Sequence, residues 1–235
     1  MCNTTFKFEH KKYTKIDTLY MRGEKNLIML GQYSNPLFSY LLHNKWLAFE
    51  KVDGTNMSYY WDGHTLEIHG KTEDAKIPPH LLAKMQEILP VDLLKEKFPP
   101  KYDENGNEIP FLMIIYGEGY GKNIGKTGSK YLSNDTSFRV FDINIGGWWL
   151  EWDNVVDICN QLNLEHVIPY GEMTLAEAEY IVIKGFKTTL AEDKNLNAEG
   201  LVLRPTIQLF DKKGKRLMVK IKTCDYDKLK RCGKM

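Results

Sequence analysis

The sequence has few cysteines, no long apolar run and almost no net charge. Cys2, Cys159, Cys224 and Cys232 form no C-x-x-C pair, so neither a zinc knuckle nor a disulfide framework is predicted, and reduced cytosolic thiols are expected. No apolar run is long enough to span a membrane, and the first residues lack the apolar segment of a signal peptide. A net charge of +1 excludes a polycation, so any contact with nucleic acid must come from local basic patches.

The remaining composition predicts an ordinary globular core. Of the 235 residues, 43% are hydrophobic and 27% are charged, which suits one sizeable domain. Strands and helices do not alternate strictly, so the pattern predicts an α+β fold with mostly antiparallel sheets and flanking helices, organised as a single domain over residues 1–235. Thr174 and Glu177 are typical of a helix capping box.

Apolar alternation and turn dipeptides predict the individual strands. One strand is predicted to end at Gly117, and a hairpin is predicted to run through Trp148–Trp152. The predicted strands are 46–49, 56–61, 65–69, 111–116, 138–145, 148–152, 200–204 and 217–222.

The segment Glu50–Asn56 stands out because it combines a lysine with a tight turn. Lys51 follows the predicted strand Trp46–Phe49, and Asp53-Gly54 is a turn dipeptide. A lysine so placed can act as a nucleophile at the mouth of a pocket. On this segment alone, a solvated charge at the edge of a hairpin is the simpler interpretation.

Four later segments share this design, since each places polar or charged residues at the end of an apolar strand. They are 116–119, 138–143, 199–204 and 219–222. In order and approximate spacing, the five segments resemble the motifs of the covalent nucleotidyltransferases, which include ATP-dependent RNA and DNA ligases and mRNA capping enzymes. The patterns K-x-x-G-T-N, Y-G-E-G-Y-G and E-G-L-V-L-R-P are most similar to the RNA ligase family, and within it to phage RNA ligases that seal nicks in duplex RNA.

The resemblance implies an ATP-grasp-like ligase adenylation domain with a three-step reaction. Lys51 would take AMP from ATP, the AMP would move to a 5′-phosphate end, and a 3′-hydroxyl would then attack that end. ATP, with AMP as the covalent adduct, and Mg²⁺ or Mn²⁺ are the implied cofactors. Lys220 and Lys222 alternate with apolar residues, so both should face one side of their strand. Near Lys51, they would disfavour its charged form and stabilise charge on the phosphates.

The resemblance also assigns binding roles. Glu199 is implied to hold the metal and to line the nucleotide pocket, and Glu118 to bind the ribose. Phe141 rather than Phe138 is predicted to stack on the adenine, because alternation puts the two rings on opposite faces.

Other nucleotide contacts are predicted close to the nucleophile. Glu50 and Val52 flank Lys51, whereas Asn56 could contact the nucleotide or order the turn. Lys71 stands where the family usually has an arginine that engages phosphate, and a lysine offers a point charge instead of a bidentate contact. The basic loop Lys122–Lys130 is a candidate for gripping a nucleic-acid backbone, or else a solvated loop.

The expected partner is nucleic acid, with RNA ends or nicks favoured over DNA, and no membrane. The chain is expected to be a monomer in the cytoplasm, or in the host cytoplasm if it comes from a phage. Only residues 224–235 follow the last motif, so neither an oligonucleotide-binding barrel nor a helical C-terminal domain is expected. Two alternatives stay open: a minimal ATP-dependent DNA ligase, and a nucleotide- or RNA-binding module with the same fold.

Overall fold

The structure is a computed structural model that describes residues 7–234. The strands are β1 (Asp17–Thr18), β2 (Tyr20–Arg22), β3 (Ile28–Tyr33), β4 (Trp46–Glu50), β5 (Thr55–Trp61), β6 (Leu66–Gly70), β7 (Met113–Gly121), β8 (Thr136–Ile145), β9 (Trp148–Trp149), β10 (Pro169–Met173), β11 (Gly200–Pro205) and β12 (Val219–Lys222). The helices are α1 (Leu37–Tyr40), α2 (Pro79–Ile88), α3 (Val91–Lys97), α4 (Gly128–Tyr131), α5 (Trp152–Gln161), α6 (Leu175–Lys184) and α7 (Thr223–Arg231).

The chain divides into two compact units, each with its own sheet and apolar core. Unit 1 contains the described residues through Tyr13 and Asp53–Val167, and unit 2 contains Thr14–Val52 and Ile168 onward. The α+β class with mostly antiparallel sheets is confirmed. The prediction of a single domain stays a prediction. In the part of the chain that the structure describes, no helix has the length and apolarity that crossing a bilayer requires.

Unit 1 is built on a five-stranded antiparallel sheet in the order β6-β5-β7-β8-β9. One face packs against α2, α3 and α5, because the apolar residues of those helices recur at helical spacing. The predicted strands 56–61 and 65–69 are confirmed as β5 and β6, which pair antiparallel.

Two predicted boundaries in unit 1 are wrong. Strand β7 does not end at Gly117 but continues through Gly121, and the glycines let it pass its neighbours closely. A Cβ atom on Gly117 would lie 2.3 Å from the ring of Phe138. Trp152 begins α5 instead of ending a hairpin strand, so β9 is only two residues long.

Unit 2 is built on a five-stranded sheet in the order β1-β12-β11-β4-β10. All neighbouring strands are antiparallel except β1 and β12, which are parallel. The predicted strands 200–204 and 217–222 are present as the antiparallel neighbours β11 and β12, although β12 begins only at Val219. Helices α6 and α7 pack near the sheet, and the capping box of Thr174 and Glu177 is present at the start of α6.

Candidate functional site

Lys51 lies directly after β4 in unit 2, where the backbone is fixed by a neighbouring strand. Its amide donates a hydrogen bond of 2.9 Å to the carbonyl of Gly200, the first residue of β11. The Lys51 ammonium group donates to a carboxylate oxygen of Glu199 at 2.7 Å and to the carbonyl of Val52 at 3.2 Å. Val52 itself is buried. The Lys51 side chain is 22% exposed, so it is held by its partners yet remains accessible.

Glu199 joins two lysines through one carboxylate. Its second oxygen accepts a hydrogen bond of 2.6 Å from the ammonium group of Lys222, which ends β12. Glu199 and Lys51 come from the two separate sequence segments of unit 2, 148 residues apart, and meet because β11 pairs with both β4 and β12. The result is a Lys51–Glu199–Lys222 chain of ion pairs at one end of the sheet.

Lys220 and Lys222 project from the same side of β12, while the intervening Ile221 is buried. Burial lowers the pKa of Lys220, and the positive charges of Lys222 and Lys51 lower it further. Burial also acts to lower the pKa of Lys222, but the hydrogen bond and charge of Glu199 outweigh it, so the net shift is upward. Lys222 is therefore a paired cation, whereas Lys220 is a half-buried cation among like charges.

A cavity of about 540 Å³ opens beside these lysines within unit 2. Asp17 and Asp225 are the acidic residues of its lining, and they pair with Lys215 and Arg22, respectively. The basic side chains in the lining are those of Lys15, Arg22, Lys220, Lys222 and Lys228. An excess of positive charge in a partly enclosed space attracts anions such as phosphates.

Glu50 has a structural partner that the sequence did not reveal. Its carboxylate is buried and accepts hydrogen bonds from the hydroxyl of Thr188 and from the backbone amide and hydroxyl of Thr189, the last two at 3.0 and 3.1 Å. Glu50 thus fixes the segment before Glu199 to the end of β4. Its predicted contact with a nucleotide stays a prediction, as does that of Val52.

In unit 1, Asn56 and Glu118 lie side by side. They are register partners on β5 and β7, so their side chains share one face of the sheet. Gly54 precedes them in a crowded position, where an added Cβ would lie 2.2 Å from the carbonyl oxygen of Gly119. Both side chains are partly exposed on that face.

Phe141 and Phe138 lie on opposite faces of β8, as the alternation predicted. Phe138 is fully buried against the helices, whereas Phe141 is partly buried in an aromatic cluster on the other face. A β-bulge at this position and an edge-on contact with Tyr13, with ring centroids 4.9 Å apart, orient the Phe141 ring. Stacking of Phe141 on a base stays a prediction.

A sequence model of the RNA ligase family matches residues 44–222, which is most of the chain. The chain belongs to the RNA ligase family. A search of curated proteins returned no match.

Solved structures of RNA ligases share this fold. A glutamate-to-alanine mutant of Naegleria gruberi RNA ligase with ATP and Mn matches with a TM-score of 0.63 and 20% identity, covering 94% of this chain and 58% of that chain. A lysine-to-methionine mutant of the same ligase with AMP and Mn matches with a TM-score of 0.61 and 18% identity. That match covers 96% of this chain and 59% of the ligase chain. This chain therefore spans less than two thirds of the length of these ligases. The predicted nucleotidyltransferase fold of RNA ligases is confirmed.

Lys71 is the position where this family member departs from the expected arginine. It lies exposed just after β6 and forms no ion pair with any other residue in the described range 7–234. A lysine there offers a mobile point charge instead of a bidentate fork. Its phosphate contact stays a prediction.

In this member of the RNA ligase family, the basic loop is hydrogen-bonded to the turn after Lys51, a contact that the sequence did not reveal. Thr127 donates its hydroxyl to the carboxylate of Asp53 at 2.5 Å, and the Asp53 amide donates to the hydroxyl of Tyr131 at 3.3 Å. Lys122, Lys126 and Lys130 of the loop remain exposed. The only sequence signal was the run of basic residues and glycines, which does not identify Asp53 as the anchor.

Proposed function

We propose that this chain is an ATP-dependent RNA ligase that forms a covalent lysine–AMP intermediate on Lys51. The observation that carries the proposal is the chain of ion pairs from Lys51 through Glu199 to Lys222, with Lys220 on the same strand face. Membership of the RNA ligase family supports it. Related Naegleria ligase structures contain ATP or AMP together with Mn, which supports ATP as the nucleotide and Mg²⁺ or Mn²⁺ as the metal.

In the first step, the unprotonated Lys51 amine attacks the α-phosphorus of ATP. A nitrogen–phosphorus bond forms, the bond to the bridging oxygen breaks, and pyrophosphate leaves with that electron pair. The nitrogen then loses one proton to solvent, which gives the neutral phosphoramidate nitrogen. Lys220 and Lys222 supply fixed positive charges at one edge of the cationic cavity, where they stabilise the growing charge on the phosphoryl oxygens.

Glu199 fits the metal role through the chemistry of its donor atoms. Mg²⁺ and Mn²⁺ prefer oxygen ligands, and Mg²⁺ keeps several waters, so one or two carboxylates are enough. Within residues 7–234, no group of three or more His, Cys, Asp or Glu side chains is arranged to hold a metal ion. When bound, the metal neutralises phosphate charge.

The remaining nucleotide contacts are assigned residue by residue. We infer that Glu118 binds the ribose and that Phe141 stacks on the adenine, which their common sheet face permits. The other inferred nucleotide-binding residues are Glu50, Val52, Asn56 and Lys71.

The second and third steps join RNA. AMP moves from Lys51 to the 5′-phosphate of an RNA end, and a 3′-hydroxyl then attacks that phosphate and releases AMP. We infer RNA ends or nicks as the substrate in preference to DNA, a monomeric enzyme acting in a cytoplasm, and one adenylation domain over the chain.

The decisive experiment is the intact mass of the purified protein before and after incubation with ATP and Mg²⁺ or Mn²⁺. Any AMP already bound is first removed with pyrophosphate. We expect a gain of one AMP, reversed by pyrophosphate, in the wild type and in Lys184→Ala, a control that alters an exposed lysine. Lys51→Ala should remain folded and gain nothing, because the change removes one accessible amine and no core contact.

Side-by-side assays on nicked RNA and nicked DNA then test the substrate. Sealing of RNA over DNA is expected. Preferential sealing of DNA would instead indicate the minimal DNA ligase. Retained labelling of Lys51→Ala would show that the nucleophile is another residue. A folded wild type that gains no AMP would favour a binding module.

A further inference from the structure

The connection between β11 and β12 exposes an unusual group of apolar side chains. We call residues 206–216 the tip hairpin. Ile207 is 74% exposed, Leu209 is 41% exposed and Phe210 is 53% exposed. Large apolar side chains grouped on a short exposed segment are typical of an interaction surface.

The tip hairpin is held in one shape by its own hydrogen bonds. Asp211 accepts backbone hydrogen bonds on one carboxylate oxygen from Lys213 at 2.8 Å and from Lys215 at 2.9 Å. Phe210 and Arg216 form an isolated antiparallel bridge just before the turn. The Lys215 ammonium group also pairs with Asp17 at 2.7 Å, which fastens the tip hairpin to β1. The exposed ring is therefore presented by an ordered turn.

The same turn carries an excess of positive charge, because Asp211 is its one acidic residue. Asp211 is engaged by the backbone and Lys215 by Asp17. Lys212 and Lys213 are exposed and form no ion pair with any residue between 7 and 234. A flat aromatic ring next to two exposed lysines is the combination with which proteins bind single-stranded nucleic acid.

We propose that the tip hairpin binds a nucleic-acid strand, with Phe210 stacked on an unpaired base and Lys212 and Lys213 on its phosphates. The proposal rests on the proposed function, which supplies RNA as the substrate, and it adds a contact surface outside the five motif segments. A protein partner fits less well, because lysines are depleted at protein–protein interfaces. The charge of the turn complements a phosphate backbone instead.

The test measures binding of a fluorescent 5′-phosphorylated single-stranded RNA to the full chain by anisotropy. Phe210→Ala should weaken binding by about tenfold, in line with the loss of one base stack. Phe210→Leu should weaken it similarly, because it keeps apolar volume but lacks an aromatic face. Lys212→Ala combined with Lys213→Ala should reduce the slope of log K against log salt by about 1.4, since two phosphate contacts are lost.

A matched control comes from α6, where Tyr180 is 58% exposed with Lys184 over its ring. Tyr180→Ala with Lys184→Ala should leave RNA binding within twofold of the wild type. RNA binding at wild-type affinity by Phe210→Ala or by Phe210→Leu would overturn the proposed stacking contact. An equal loss of RNA affinity in the α6 control would show that the tip hairpin is not a specific RNA-binding surface. A wild-type protein that binds no RNA would overturn the proposal as well.

Adduct formation with ATP separates this inference from the proposed function. All tip variants should acquire AMP at the wild-type rate, because the tip hairpin takes no part in that step. An absent adduct in the wild type refutes the ligase chemistry, whereas normal adducts with unchanged RNA affinity in the tip variants refute only the tip contact. Loss of AMP transfer to protein in Phe210→Ala would also overturn the inference, since the residue would then serve the nucleotide step.

Discussion

Replacing Glu199 by glutamine tests the central ion-pair chain directly, because the change removes one charge and keeps the side-chain shape. Its carboxylate oxygens lie 2.7 and 2.6 Å from the ammonium nitrogens of Lys51 and Lys222. At an effective dielectric constant of about 20, each contact corresponds to roughly 6 kcal/mol of Coulomb energy before desolvation. The side chains are about one-fifth exposed, so solvent screening and desolvation cancel most of this attraction.

We therefore expect Glu199→Gln to lower the free energy of unfolding by about 1–3 kcal/mol. A more specific result is expected for the ion pair between Glu199 and Lys51. Measured by urea unfolding in a double-mutant cycle with Lys51→Met, the two changes should be non-additive by about 1 kcal/mol, because each residue is the other's partner. Glu199→Gln should also slow AMP transfer to protein by at least about tenfold, since an amide is a weaker ligand for a divalent metal.

Two results would refute this reasoning. Additivity of the two stability changes within about 0.5 kcal/mol would show that the Lys51–Glu199 contact contributes nothing in solution. Wild-type labelling by Glu199→Gln would show that the carboxylate has no part in the chemistry. A matched control is Glu177→Gln, which alters an exposed capping glutamate far along the sequence from both lysines.

Three further predictions follow from other contacts. Lys220→Met should raise the free energy of unfolding by about 1 kcal/mol at neutral pH in urea titrations while lowering AMP transfer. Burial and nearby cations lower the pKa of Lys220, so the charged side chain opposes folding below that pKa. The stability gained by Lys220→Met should therefore decrease as the pH rises toward 10.5, the ordinary pKa of lysine. A gain in stability that does not change with pH would contradict this explanation. Gly54→Ala should destabilise by more than about 2 kcal/mol by thermal unfolding, because its Cβ would lie 2.2 Å from the carbonyl of Gly119. Thr188→Val should cost about 1–3 kcal/mol by urea unfolding, because buried Glu50 loses a donor, whereas Thr188→Ser should cost little; equal losses would contradict the hydroxyl's role.

Sequence patterns were sufficient to predict contacts between residues that are close together in the chain. The capping box of α6 joins residues three positions apart, so it is readable from the chain alone. Alternation on β12 likewise indicated that Lys220 and Lys222 share a side. Order and spacing of the five segments were enough to identify the RNA ligase family, although no single segment is specific.

Contacts between distant segments could not be read from the same rules. The hydrogen bonds from Thr188 and Thr189 to Glu50 span almost 140 residues, and nothing in the pattern around any of the three points to the others. The glycines of β7 predict a strand end, because glycine weakens the interior of a strand. Here Gly117 is needed inside the strand, where the Phe138 ring occupies the space of a side chain.

The order of strands in unit 2 has a consequence for how the protein is made. Among the strands of residues 7–234, β4, which presents Lys51, pairs with β10 and β11 alone, and both lie more than a hundred residues later in the chain. At ribosomal rates of about 5–20 residues per second, β4 emerges roughly 6–24 s before its first partner. The uninterrupted segment Asp53–Val167, which belongs to unit 1, is synthesised during that interval. We therefore expect the nucleophile strand to remain with both edges unpaired until that segment is complete, which exposes it to aggregation during synthesis.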